Sequence, residues 1–207
     1  MAVIMSQSVS NHPSEHSFVI YDLETTGLDP LGDDLIQIAA VRFCAGEIRA
    51  DDAFFRFAKP RRSISSFIES YTGIGNRHVA AASCPEDVLC EFSTWAGTST
   101  LIAHNGLRFD SKFLQATSLR CGRETREISC IDSIHISKML FGSTRGTGHS
   151  LDHLKSRLGL AESSLRRHDA RGDVDILGRA VAAMVQRLGL DHALTGVRRH
   201  ESRLPLV

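Results

Sequence analysis

Asp22 and Glu24 stand two apart at the end of an apolar run, Ser17 to Glu24, reading SFVIYDLE. Residues two apart on a strand share a face, so the two carboxylates leave the strand together. An acidic pair next to a buried strand is costly unless positive charge sits between the carboxylates. A divalent cation supplies that charge, and magnesium favours oxygen ligands while keeping several waters. Two solvated charges at a strand end would leave the same letters, so the pair alone keeps both readings open. Asp110 opens a helical pattern in which it shares the apolar face with Phe113, Leu114 and Thr117, while Lys112 and Gln115 point away. Asp173 lies one turn before Leu177, on the stripe of Ala180 and Met184, and Asp175 falls with Arg179 and Gln186 on the solvated face. Four inward carboxylates would raise one another's pKa unless cations neutralised them, and two divalent ions balance four charges. His168 lies five positions before Asp173, on the loop entering that helix. A neutral imidazole beside cations can take a proton from a water.

Positioning these groups requires a mixed sheet. Ser17 to Glu24 is apolar on both faces, as suits a central strand. Leu35 to Phe43 is a second strand, Ala45-Gly46 a turn, and Ile48 to Phe57 a third strand that Pro60 closes, an antiparallel meander. Pro85 to Trp95, Asp110 to Leu119, Ser133 to Leu140 and Val174 to Leu188 read as helices, with Ser150 capping another through Leu158. Thr100 to Ala103 and Glu127 to Ile131 are strands between them. A meander followed by alternating strands and helices predicts a mixed five-stranded α/β sheet flanked by helices. The domain spans residues 17–190, with residues 1–16 expected to be disordered and 191–207 a short, loose tail. Asp33, Asp34, Asp51 and Asp52 lie in or near turns and edges and are expected to be solvated; Asp132 is expected to cap the helix starting near Ser133. His104 reads equally as a structural group or one that orients the site.

Three segments, in order, carry a resemblance: DLETTG at Asp22 to Gly27, AHNGLRFD at Ala103 to Asp110, and HDARGD at His168 to Asp173. They resemble the exonuclease motifs of the DnaQ-like, or DEDDh, 3′–5′ exonucleases, over Phe18 to Leu188. The interval from His104 to Asp110, together with Cys130 to Ile134 and His149 to Leu151, is similar to the TREX-type branch. The resemblance implies a ribonuclease H-like fold, with Asp22, Glu24, Asp110 and Asp173 holding two Mg2+ ions (Mn2+ able to substitute) and His168 as general base. Two such ions clamp the attacking and leaving oxygens of an in-line displacement, releasing nucleoside 5′-monophosphates. Backbone N–H groups of Thr25, Thr26 and Gly27 would hold the terminal nucleotide, and Leu28 and Phe109 would pack on its base or sugar. Core packing is an equal reading of Phe109, and helix capping an alternative for Asn105. TREX-type relatives tend to be dimers, which by resemblance implies a homodimer.

Bulk properties narrow the classes. The 207 residues carry 24 basic and 24 acidic side chains, for a net charge of zero. This balance argues against a large non-specific nucleic-acid surface but permits a small site that holds phosphates through metals. Lys59, Arg61 and Arg62, Arg166 and Arg167, and Arg198 and Arg199 form local basic groups that read equally as solvated surface. Five scattered cysteines without Cys-x-x-Cys spacing exclude a zinc ribbon and point to reduced thiols. No apolar run approaches a membrane span. The expected location is therefore intracellular, cytoplasmic, or nuclear in a eukaryote. The expected partner is a nucleic acid with a free 3′ end, single-stranded or frayed DNA ahead of RNA. A catalytically idle binding module and a polymerase proofreading partner are the competing classes.

Overall fold

The computed structural model describes residues 17–144, 146, 148–161 and 169–207; the expectation for residues 1–16 lies outside them. The centre of the fold is β1 (Ser17–Thr25), buried over nearly its whole length. It pairs antiparallel with β2 (Leu35–Cys44), which pairs antiparallel with β3 (Glu47–Phe57). Ala45 and Gly46 make the β2–β3 turn with φ of 52° and 85°. Two positive φ values in a two-residue loop match the right-handed twist of the flanking strands. On its other side β1 runs parallel to β4 (Thr100–Ala103), which runs parallel to β5 (Thr125–Asp132).

The chain then departs from the expected five strands. Arg199–Pro205 forms a sixth strand, β6, antiparallel to β5, giving the order β3-β2-β1-β4-β5-β6. Leu190–Thr195 is a short helix, α8. The loose tail over 191–207 is thereby corrected. The letters RHESRLP carry no apolar alternation. Their strand conformation comes from pairing with β5 and from hydroxyls that bind the β6 backbone: Ser118 Oγ donates to the Arg203 carbonyl (2.8 Å) and Ser93 Oγ to the Pro205 carbonyl (2.7 Å). Leu204 is fully buried at the end of this strand. Leu204→Ala is expected to cost about 3 kcal/mol, as for a buried leucine that leaves a cavity. Urea denaturation measures it, and a loss within error of zero would show that β6 is not part of the cooperative unit.

Helices cover both faces. α3 (Pro85–Ala96) and α4 (Asp110–Arg120) pack on the face of Val19, Tyr21 and Leu23. α5 (Ser133–Phe141), α6 (Leu151–Leu158), α7 (Ala170–Leu188) and α8 pack on the face of Phe18 and Ile20. Ser150 caps α6 as expected, accepting from the His153 N–H. Two short helices were not legible in the sequence: α1 (Ser66–Thr72) and α2 (Asn76–Val79). Among the described residues no helix is long and apolar enough to cross a membrane.

Candidate active site

The parity of β1 decides which acids meet. Asp22 and Glu24 share the face of Phe18 and Ile20, the face that α7 covers. Asp173 lies in the first turn of α7, so it descends on the same side. Carboxylate oxygens of Asp22, Glu24 and Asp173 come within 4.8 Å of one another, a spacing that a single divalent cation can close by small side-chain shifts. Gln37 fixes the approach. It stands opposite Glu24 on β2, is fully buried, and its Oε1 accepts the Ala170 N–H at 2.8 Å. Asp169 caps α7 by accepting the Arg171 N–H at 3.0 Å, so the helix begins four residues before the expected Val174. The positive end of this helix favours a carboxylate in its first turn.

Asp110 arrives from the opposite face, as the first residue of α4, and is outside the group of three while lining the same cleft. Burial pushes its carboxyl up to about 7, and the nearby Asp132 adds to this, against backbone N–H groups of Asp110 itself and Leu23 that favour the ionised form. The loop that delivers it is held by Asp132, whose carboxylate accepts the N–H groups of Asn105 (3.0 Å) and Leu107 (3.3 Å) and caps α5 through the Ile134 N–H (3.0 Å). Asn105 adopts φ 61°, and a Cβ on Gly106 would lie 2.7 Å from the Ala103 Cβ, so this loop tolerates only glycine at 106. His104 Nδ1 lies 2.8 Å from Ser133 Oγ, and both His104 and Asn105 line the cleft. Phe109 packs on Phe113 (ring centroids 4.9 Å) and against the core of that face, while also lining the cleft.

The cleft measures about 540 Å³, within the range of small-molecule sites. Thr25, Thr26, Gly27 and Leu28 form one wall, and α1 contributes Phe67, Ile68 and Tyr71 to another. Leu28 is 83%, Phe67 74% and Tyr71 52% exposed, so three large apolar side chains stand in solvent around an acidic floor. The two aromatic rings lie nearly parallel, 9° apart in plane. The sequence reading missed Phe67 and Tyr71 because it placed no helix there; Ser65, which caps α1, and Gly73, its left-handed C-cap, were the available signals. The Thr26 N–H is donated to the Asp34 carbonyl (2.9 Å), so it serves the turn itself. A Cβ on Gly27 would fall 2.3 Å from the Asp33 carboxylate, so Gly27 lets the turn close on Asp33. His168, the expected base, lies outside the described residues, as do Arg166 and Arg167.

Known proteins are similar to this chain in sequence and in fold. A DNA polymerase III subunit epsilon-like protein from Rhodobacter capsulatus is 36% identical over 191 residues, 89% of this chain, which spans 27% of that relative's length. The nuclease domain of 3′hExo, described as a DEDDh family member bound to rAMP, superposes with a TM-score of 0.72 at 20% identity, covering 90% of this chain and 96% of that one. Exonuclease X in complex with 5′ overhanging duplex DNA gives a TM-score of 0.65 at 23% identity, covering 83% and 93%. The RNase_T family, described as Exonuclease, matches residues 19–181, from β1 into α7 and across all three acidic segments. The chain belongs to this exonuclease family, within the DnaQ-like DEDDh superfamily.

Proposed function

We propose that the domain removes nucleotides one at a time from the 3′ end of single-stranded or frayed DNA, releasing nucleoside 5′-monophosphates. The observation that carries this reading is the acidic floor of Asp22, Glu24 and Asp173 beneath exposed Leu28, Phe67 and Tyr71. A flat apolar wall suits an unpaired base of any identity, since every base has a π-face. Asp22, Glu24, Asp110 and Asp173 would hold two Mg2+ ions, which when bound would supply positive charge to the attacked phosphate and its entering and leaving oxygens. Asp22, Glu24 and Asp173 would contribute to holding them from the α7 face and Asp110 from the α4 face. His168 would accept the proton of the attacking water as the water oxygen bonds to phosphorus and the bond from phosphorus to the 3′ oxygen breaks; the departing 3′ oxygen takes a proton from solvent, and the shortened strand leaves with a 3′-hydroxyl. The Rhodobacter relative's name supports a polymerase-associated setting for the domain, and a homodimer follows only from the resemblance of the His104–Asp110 interval to the TREX-type branch.

The test is a gel assay on matched 5′-labelled single-stranded DNA and RNA oligomers, with magnesium or chelator. A descending ladder that requires magnesium and runs faster on DNA is expected. A faster RNA ladder would assign the domain to RNA, and no ladder on either would sink the reading.

Asp110 gives this proposal a pH signature. Without metal its carboxyl keeps a proton up to about 7 because ionisation is disfavoured by burial. Between the ordinary carboxylate range and about 7 the folded state holds a proton that the unfolded chain has lost, so stability falls as pH rises through that window. A cation reverses the penalty and must displace the proton to bind below about 7. Magnesium is therefore expected to raise Tm more one pH unit above about 7 than one unit below it. Equal shifts at both would remove Asp110 from the metal set.

A further inference from the structure

Asp34, expected to be a solvated turn residue, is instead 3% exposed and ties three segments together. Its Oδ2 accepts the Arg61 backbone N–H at 2.9 Å, and its Oδ1 accepts Arg61 Nε at 2.9 Å and lies 2.8 Å from the Arg61 terminal nitrogen. Arg120, on the last turn of α4, reaches the same oxygen at 3.3 Å while also binding Glu86 at 3.0 Å. The Asp34 backbone meanwhile clamps Thr26 from both sides: its carbonyl accepts the Thr26 N–H, and its N–H donates to Thr26 Oγ1 at 3.0 Å. One residue thus grips the turn carrying Gly27 and Leu28 through its backbone, and the segment leading into α1 through its carboxylate.

The second grip matters because α1 lies at the surface, where Ile68 packs on a small core and Glu69 pairs with Arg77 at 3.2 Å. Of its seven residues only Thr72 is buried. The strand-to-helix segment is fixed at Arg61 by Asp34 and at Ile64 by Asn76, whose side chain exchanges two hydrogen bonds with the Ile64 backbone at 2.9 and 3.0 Å. Between these staples and the small core of Ile36, Ile64, Ile74 and Val79, α1 presents Phe67 and Tyr71 to the cleft.

We propose that Asp34 is a positioning residue for substrate: it sets the separation of the Leu28 wall from the Phe67–Tyr71 wall, and so the fit of the terminal nucleoside, without touching substrate or metal. A carboxylate held by two guanidinium groups in a nearly closed site is suited to this role. Charge-assisted bonds are short and directional, and the buried Asp34 carboxylate is the member that suffers most from loss of a guanidinium. The inference rests on the nucleotide reading of the cleft given above.

The test measures steady-state hydrolysis of a single-stranded oligonucleotide, magnesium affinity by calorimetry, and affinity for a nucleoside 5′-monophosphate in Asp34→Asn, Arg61→Gln and Arg61→Lys. Asp34→Asn is expected to raise KM and weaken monophosphate binding about tenfold, with kcat within about threefold and magnesium affinity unchanged. Arg61→Gln, at a half-exposed side chain that does not endanger folding, is expected to give about a threefold KM effect, largely restored in Arg61→Lys. Unchanged KM and monophosphate affinity in folded Arg61→Gln and Asp34→Asn would overturn the proposal. So would a fall in kcat that follows magnesium affinity, because Asp34 would then act on the acidic floor. If Asp34→Asn does not fold, the arginine pair decides alone. A wild-type protein without magnesium-dependent hydrolysis but with wall-dependent monophosphate binding would refute the exonuclease reading and leave the positioning role standing.

Discussion

Asp173→Asn is expected to lower kcat/KM by on the order of 10³, with magnesium affinity falling alongside it. Its carboxylate is one of three within 4.8 Å of one another. A unit charge pair at about 4 Å in a site of effective dielectric near 20 is worth about 4 kcal/mol, and each 1.36 kcal/mol corresponds to about tenfold in rate. The amide keeps the shape of the side chain, and Gln37 and Asp169 still seat α7, so the fold should survive. Stopped assays on a single-stranded oligomer, paired with calorimetry of magnesium, measure both effects. A variant that retains wild-type metal affinity would place the ion elsewhere.

The second large effect separates a base from a ligand. His168→Ala is expected to reduce kcat by about 10²–10⁴, the range of a positioned general base, while magnesium affinity stays within about twofold. His168 immediately precedes Asp169, the residue that caps α7, so a defect that lowered helix stability instead would appear in Tm and should not be seen. The rate should lose its rise with pH across the imidazole range, since the group that must be unprotonated is gone. Loss of metal affinity in this variant would make His168 a ligand and refute the assignment.

How much of this was legible in the letters depended on where the information sits. Asp22, Glu24, Asp110 and Asp173 could be read because period and parity are local: two residues along a strand, or three and four along a helix, fix a face. That Asp110 would come from the opposite side of the sheet could not be read locally, since it depends on which helix covers which face. α1 was hidden between Pro60 and Pro85 by its polar, serine-rich content, and with it the aromatic wall. Asp34 was misjudged because its partners Arg61 and Arg120 are 27 and 86 residues away. β6 was missed for the same reason: its side chains alternate charge rather than hydrophobicity, and the bonds that order it start on α3 and α4.

Those bonds also bear on the order in which the molecule assembles. Ser93 reaches Pro205 across 112 residues and Ser202 reaches the Ser111 carbonyl across 91, at 2.7 Å each. Loops of that length close at an entropic cost that grows with the logarithm of their size, and contacts of high sequence separation slow folding. The meander of β1, β2 and β3 joins neighbours in sequence and can form early. α4, and with it Asp110, receives its last support only when the chain near residue 205 has been made and has returned to it. During folding the domain would therefore pass through a state with its meander built and Asp110 not yet fixed beside the acidic floor, so nuclease competence would come after the return of β6.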